Sequence, residues 1–219
     1  MPRVQVPTVQ RFILDHVDWR TYERLLSAFE GHPSLRLTYD RGVLEIMSPT
    51  RRHDKVAYLL GRFIDTLTEE LSMAVTAGRS MTLRNPRRKR GLEPDNSYWI
   101  ASEPQIRFKE EIDLRIDPPP DLAMEIDVTR SSLNRMKIYA KLGVPELWRL
   151  TKKGLTFYSL QAGTSYVSVT HSLAFPMLTP SDVMQFLALR LQHDDNAVVR
   201  QFRDWVRQNK PAASLPQNP

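Results

Sequence analysis

Cysteine is absent from all 219 residues, and with it any disulfide framework and any thiolate metal site. No apolar run approaches the roughly 20 residues of a membrane-spanning helix, and no secretory apolar region stands near the first residues. The expectation is therefore a cytoplasmic protein without membrane contact. A Gly-rich phosphate loop, a His-Glu-x-x-His zinc motif and a Gly-x-Ser-x-Gly elbow are all missing. Their absence argues against nucleotide-phosphate cradling, zinc-peptidase chemistry and serine acyl transfer. The chain is short for a glycosidase and has no aromatic-rich cleft signature. There is no internal repeat and no long low-complexity segment.

What is present suits one domain. The hydrophobic fraction of 41% is enough for a core, and the boundaries read as an N-terminal arm over 1–17, a domain over 18–208 and a flexible tail over 209–219. The formal charge of +6 is compatible with a polyanionic partner. Asp18 reads as an N-cap for a helix from Trp19 to Phe29, stopped by Gly31. Leu35–Tyr39 and Val43–Met47 alternate around an Asp40-Arg41-Gly42 turn and predict a hairpin. Val56, Leu59, Leu60, Phe63, Ile64, Leu67 and Leu71 form one stripe of a long helix running to about Val75.

The most informative stretch is Pro120-Asp121-Leu122-Ala123-Met124-Glu125-Ile126-Asp127-Val128-Thr129. It alternates at a strand's period, with Leu122, Met124, Ile126 and Val128 on one face. Glu125 and Asp127 share the other face, about 7 Å apart on a regular strand. Two adjacent carboxylates on an apolar strand repel and lose hydration, so something positive must sit near them: a divalent cation, or a lysine or arginine. After Thr129, Ser131 or Ser132 can cap a helix through Leu142, ended by Gly143, and Glu146–Leu150 reads as a strand. Strand, helix, strand over this length predicts a crossover between two parallel strands. Arg135, Lys137 and Lys141 bring positive charge onto that helix.

Asp95, after Pro94, opens another apolar strand; taken alone, Pro-Asp is a common turn signature. Arg87, Arg88, Lys89 and Arg90 form the most basic stretch, a loop that either contacts phosphates or is a solvated charge run. Glu45 and His53 flank the join between the hairpin and the long helix, His53 reading more readily as a structural histidine than as a ligand. Hard oxygen donors of this kind suit Mg²⁺ or Mn²⁺.

Pro94-Asp95 followed by Glu125-Ile126-Asp127 resembles the PD-(D/E)XK nuclease superfamily. More closely, Pro119-Pro120-Asp121-Leu122-Ala123-Met124-Glu125, with Tyr139-Ala140-Lys141-Leu142-Gly143-Val144-Pro145-Glu146-Leu147-Trp148, is similar to the Uma-two family of restriction-endonuclease-like proteins. The resemblance runs from about Leu37 to Phe175. It implies an α/β fold: a restriction-endonuclease-like core of mixed β-sheet flanked by helices, with an N-terminal helix and hairpin and C-terminal helices. It also implies that Asp95 and Glu125 hold a metal, with Glu45 auxiliary. Where the superfamily carries lysine, two residues after Glu125, this chain has Asp127. Either Asp127 is an added ligand, or the lysine's work has moved to Arg135 or Lys137.

The function so implied is Mg²⁺- or Mn²⁺-dependent hydrolysis of DNA phosphodiester bonds. A homodimer is expected because cutting two strands needs two sites. The alternatives are a non-catalytic nucleic-acid-binding module on the same fold, or a structural dimer whose acidic strand is neutralised by Arg135 and Lys137.

Overall fold

The computed structural model describes residues 10–30, 35–48, 51–127 and 133–211, with the backbone alone at Arg51, Arg52 and Asp127. The chain opens with β1 (Gln10–Leu14), α1 (Trp19–Ala28), β2 (Arg36–Asp40), β3 (Val43–Ser48) and α2 (Arg51–Glu70). Short strands follow: β4 (Thr76–Ala77), β5 (Leu83–Asn85), β6 (Arg90–Leu92) and β7 (Asn96–Trp99). Then come β8 (Leu122–Asp127), α3 (Arg135–Leu142), β9 (Glu146–Thr151), β10 (Gly154–Gln161), β11 (Ser165–Val169), α4 (Pro180–Leu189) and α5 (Asp195–Asn209).

Two sheets result. One is antiparallel, in the order β1-β3-β2-β6-β5; the other is mixed, in the order β11-β10-β9-β8-β7-β4. The expected hairpin is β2–β3, and it is extended on both sides, by β1 and by β6 with β5. Residues 10–14, expected in an extended arm, are thus a strand of this sheet. β8 and β9 pair in parallel, with Leu122 opposite Glu146, and α3 makes the crossover. Among the described residues no helix is long and apolar enough to cross a membrane.

The alternation of β8 separates two apolar clusters. Leu122, Met124 and Ile126 pack with Leu60, Phe63, Ile64 and Leu67 of α2, and with Phe186 of α4 and Phe202 of α5. Ala123, on the opposite face, packs with Ile138, Tyr139 and Leu142 of α3. Burying a large apolar side chain stabilises by roughly 1.5–3 kcal/mol, so each face of the strand is held firmly. A third cluster joins Tyr22 of α1 to Leu37, Tyr39 and Leu44 of the hairpin.

Several boundaries differ from expectation for local reasons. α2 stops at Glu70 rather than near Val75, because Ser72 takes a left-handed φ of 53° and Met73 N–H turns back to Thr68 O at 2.9 Å. That turn frees Thr76–Ala77 to pair with β7. α3 is capped by Asn134, whose Oδ1 accepts from Lys137 N–H at 3.1 Å, and not by Ser131 or Ser132, which lie outside the described residues. Gly143 ends it as expected, at φ 89°, donating its N–H to Tyr139 and Ala140 carbonyls. The expected stop at Gly31 also falls outside the described residues.

Candidate active site

β7 and β8 are antiparallel, with Asn96 opposite Met124. Asp95 lies one residue before β7, and its N–H donates to Met124 O at 3.1 Å, one step off that register. Its charge acts on both Glu125 and Arg135, so the two carboxylates lie near each other at the end of the sheet. Asp95 Oδ2 accepts the Ile126 N–H at 2.6 Å, which pins its carboxylate over the end of β8.

Glu125 is held from α3. Arg135 Nε donates to Glu125 Oε2 at 2.9 Å, and Arg135 Nη2 to Glu125 Oε1 at 2.5 Å. Tyr139, one helical turn further, donates its hydroxyl to the same Oε1. Arg135 also reaches back to the other sheet: Nη2 donates to Glu93 O at 2.7 Å, and Nη1 to Thr38 Oγ1. The pair is enclosed, with 14% of the Arg135 side chain and 10% of that of Glu125 exposed. Burial pushes the Glu125 carboxyl up, Arg135 pulls it down, and Asp95 pushes it up again; the net direction is upward. Burial also opposes charge on Arg135, yet Glu125 raises its pKa and keeps it cationic. Burial and Glu125 together hold the Tyr139 phenol protonated.

α2 supplies the other side. His53 Nε2 lies 3.1 Å from Asp95 Oδ2, and its ring is almost fully buried. The approach is set by the Asn96 side chain, whose Nδ2 donates to Ala57 O at 2.8 Å, one turn along the helix from His53. Burial disfavours charge on His53, but Asp95, Asp54 and Glu125 more than compensate, and its pKa is raised.

The structure therefore brings together Asp95, Glu125, Arg135 and His53, four of the residues singled out from the sequence, and adds Tyr139 and Thr38. The other candidates are placed as follows. Glu45 is opposite Thr38 on β2 and Ile13 on β1, but its carboxylate lies 3.4 Å from Arg11 Nε. Among the described residues it is not grouped with Asp95 and Glu125 as a three-carboxylate site. Lys137 is exposed on α3, so Arg135 is the cation at the acidic pair. Arg90 is turned inward, 3.0 Å from Asp40, which removes it from the basic surface. Arg87, Arg88 and Lys89 are exposed on a tight turn between β5 and β6, capped by Asn85. Arg88 donates to Lys141 O at the far end of α3, about 9 Å along the helix from Arg135. Asp127 ends β8; its side chain lies outside the described atoms.

These positions bear on a divalent ion. Among the described residues no three His, Asp or Glu side chains are grouped to enclose one. Both described contacts of the Asp95 carboxylate fall on Oδ2, leaving Oδ1 for a ligand. The donor set fits an ion held by one or two hard carboxylates and otherwise by water, the usual manner of Mg²⁺. It does not fit a cage made wholly of protein.

The Uma2 family, described as "Putative restriction endonuclease", matches residues 19–192. This chain belongs to the Uma2 family. The match covers every strand but β1 and takes in Asp95, Glu125, Arg135 and Tyr139. A solved structure of a "putative nuclease belonging to DUF820" from Anabaena variabilis ATCC 29413 is 19% identical, with a TM-score of 0.44, covering 78% of this chain and 90% of that one. No curated protein matches the chain.

Two parts of the site were hard to find from sequence. Tyr139 is four residues after Arg135, on the same helix face, and that spacing was the available signal. Thr38 carried none, because its role depends on how the two sheets meet.

Proposed function

We propose that this Uma2 protein is a Mg²⁺- or Mn²⁺-dependent endonuclease that hydrolyses DNA phosphodiester bonds. One observation carries the reading: Asp95 and Glu125 meet at the ends of adjacent strands, with Asp95 Oδ2 accepting the Ile126 N–H and a buried guanidinium held on Glu125. Asp95 and Glu125 are the residues that would hold the ion. When bound, it would supply Lewis-acid charge to the phosphate and lower the pKa of a bound water.

The protein's own contribution is placement. Arg135 fixes Glu125 with two parallel hydrogen bonds and balances one of the two negative charges. With both carboxylates ionised and His53 neutral, Asp95, Glu125, Arg135 and His53 keep a net charge of −1, which favours a cation beside them. Tyr139 offers Glu125 a neutral donor, which orients the carboxylate without cancelling its charge. Arg87, Arg88 and Lys89, a helix length away, would meet backbone phosphates flanking the cut and draw the polyanion in.

Plasmid nicking tests this. Wild-type protein with Mg²⁺ or Mn²⁺ nicks supercoiled DNA, chelation stops it, and Asp95→Ala lowers the rate by at least about 100-fold, as loss of a central electrostatic group does. Equal cutting by both proteins, or none by either, sinks the proposal.

A second reading has one observation in its favour. Both oxygens of Glu125 are already engaged by Arg135 and Tyr139, as in a neutralised scaffold. On that reading the protein binds nucleic acid without cutting. Salt-sensitive DNA binding would then persist without metal and survive Glu125→Ala.

A further inference from the structure

His53 belongs to α2, on the opposite side of the site from α3. Its contact with Asp95 is therefore made across the end of the sheet. We propose that His53 is a positioning residue: its Nε2–H and the Ile126 N–H together pin Asp95 Oδ2, so that Oδ1 alone is presented to a divalent cation. This rests on the carboxylate-site reading above and adds a named role outside the acidic pair.

Geometry decides the tautomer. A carboxylate only accepts, so the nitrogen 3.1 Å from Asp95 Oδ2 carries the hydrogen whether or not the ring is charged. Oδ2 then has two donors, at 2.6 Å from the backbone and 3.1 Å from the ring. Both are on rigid elements, β8 and the first turns of α2. The ring cannot swing away cheaply, because it is buried and its helix is tied to β7, which follows Asp95, by Asn96 Nδ2 and Ala57 O. The close fit continues along α2, where a Cβ on Gly61 would lie 3.1 Å from the Tyr98 hydroxyl. A carboxylate held at one oxygen by two donors loses the freedom to chelate symmetrically. Asp95 should therefore act as a one-oxygen ligand, leaving more of the ion's positions to water and substrate.

The test uses the full chain and Mn²⁺ alone, titrated by calorimetry without DNA, for wild type, His53→Ala, His53→Asn and His53→Gln. A glutamine amide reaches about as far as Nε2 and can donate to Oδ2; an asparagine amide falls short. Loss of a residue that orients a metal ligand typically weakens metal affinity about 10–100-fold, so Ala and Asn should fall by about that factor and Gln should stay within about threefold of wild type. Circular dichroism confirms that each variant is folded, and free imidazole added to His53→Ala should recover part of the lost affinity. If wild type binds Mn²⁺ and all three variants bind equally, the positioning role is overturned while the site reading stands. It is likewise overturned if Gln is as weak as Ala. If wild type binds no Mn²⁺, the site reading itself falls and takes this role with it.

Discussion

Replacing Arg135 by methionine gives the most direct measure of how the site is held. The guanidinium makes two hydrogen bonds to Glu125, one to the Glu93 carbonyl at 2.7 Å and one to Thr38. Methionine fills much of the volume and makes none of them. Glu125 is then a buried carboxylate with the Tyr139 hydroxyl as its remaining described partner. Removing one member of a buried ion pair costs about 3–5 kcal/mol, against about 0–1 kcal/mol for an exposed pair. With 14% and 10% of the two side chains exposed, the higher range applies.

Urea unfolding at pH 7, followed by tryptophan fluorescence, measures the loss. Arg135→Met with Glu125→Gln should cost clearly less than Arg135→Met alone, because no charge is left stranded. The pH dependence has a definite sign. Glu125 in the native state is already raised by burial, and removing Arg135 takes away the largest influence that lowers it. A carboxylate raised on folding contributes stability below its unfolded value and loses it as pH rises through the folded value. The variant should therefore regain part of its deficit on acidification from pH 7 to about 5. A loss under about 1 kcal/mol, or a double variant at least as unstable as the single one, would refute the reasoning.

Four further outcomes follow from other parts of the molecule. A Cβ on Gly91 would fall on the Tyr22 hydroxyl, so Gly91→Ala should cost about 1–3 kcal/mol by overpacking. Tyr22→Phe removes a buried hydroxyl with no hydrogen-bond partner among the described residues, and should be near neutral and soften the Gly91→Ala loss in denaturant melts. Glu70 joins α2 to Arg203 and Arg207 of α5, and the Arg207 and Arg203 hydrogen bonds hold its pKa down at about 2 against an ordinary 4.5. Its contribution is present above 4.5 and lost as pH falls towards 2, so wild type and Glu70→Gln should differ in urea midpoint at pH 7 and converge near pH 2. Changing Arg87, Arg88 and Lys89 together to glutamine should reduce the slope of log affinity against log salt for duplex DNA by about 2–3, at about 0.9 per phosphate contact. An unchanged slope would remove this turn from the interface.

The helices and strands were legible wherever one face is buried and the other is not. β8 is the clearest case: its alternation separated Leu122, Met124 and Ile126 from Glu125, and these residues do pack on the face away from α3. The parallel crossover followed from spacing, since a strand, a helix and a strand over that length leave little else. Less could be read where partners are distant. Arg90 sits in a run of positive charge and looks like its neighbours until Asp40 is seen across the sheet. The neighbour of Glu45 is Arg11, on a strand taken for an arm, and nothing in either segment pairs them.

The sequence by itself determined which side chains share a face and that two carboxylates on one strand needed a positive neighbour. Local periodicity and desolvation require that much. Only the tertiary structure decided who the neighbours are: Arg135 for Glu125, His53 for Asp95, Thr38 and the Glu93 carbonyl for Arg135. Those choices depend on the strand register and on how two helices and a second sheet close over the strand ends, distances that no pattern within one segment encodes.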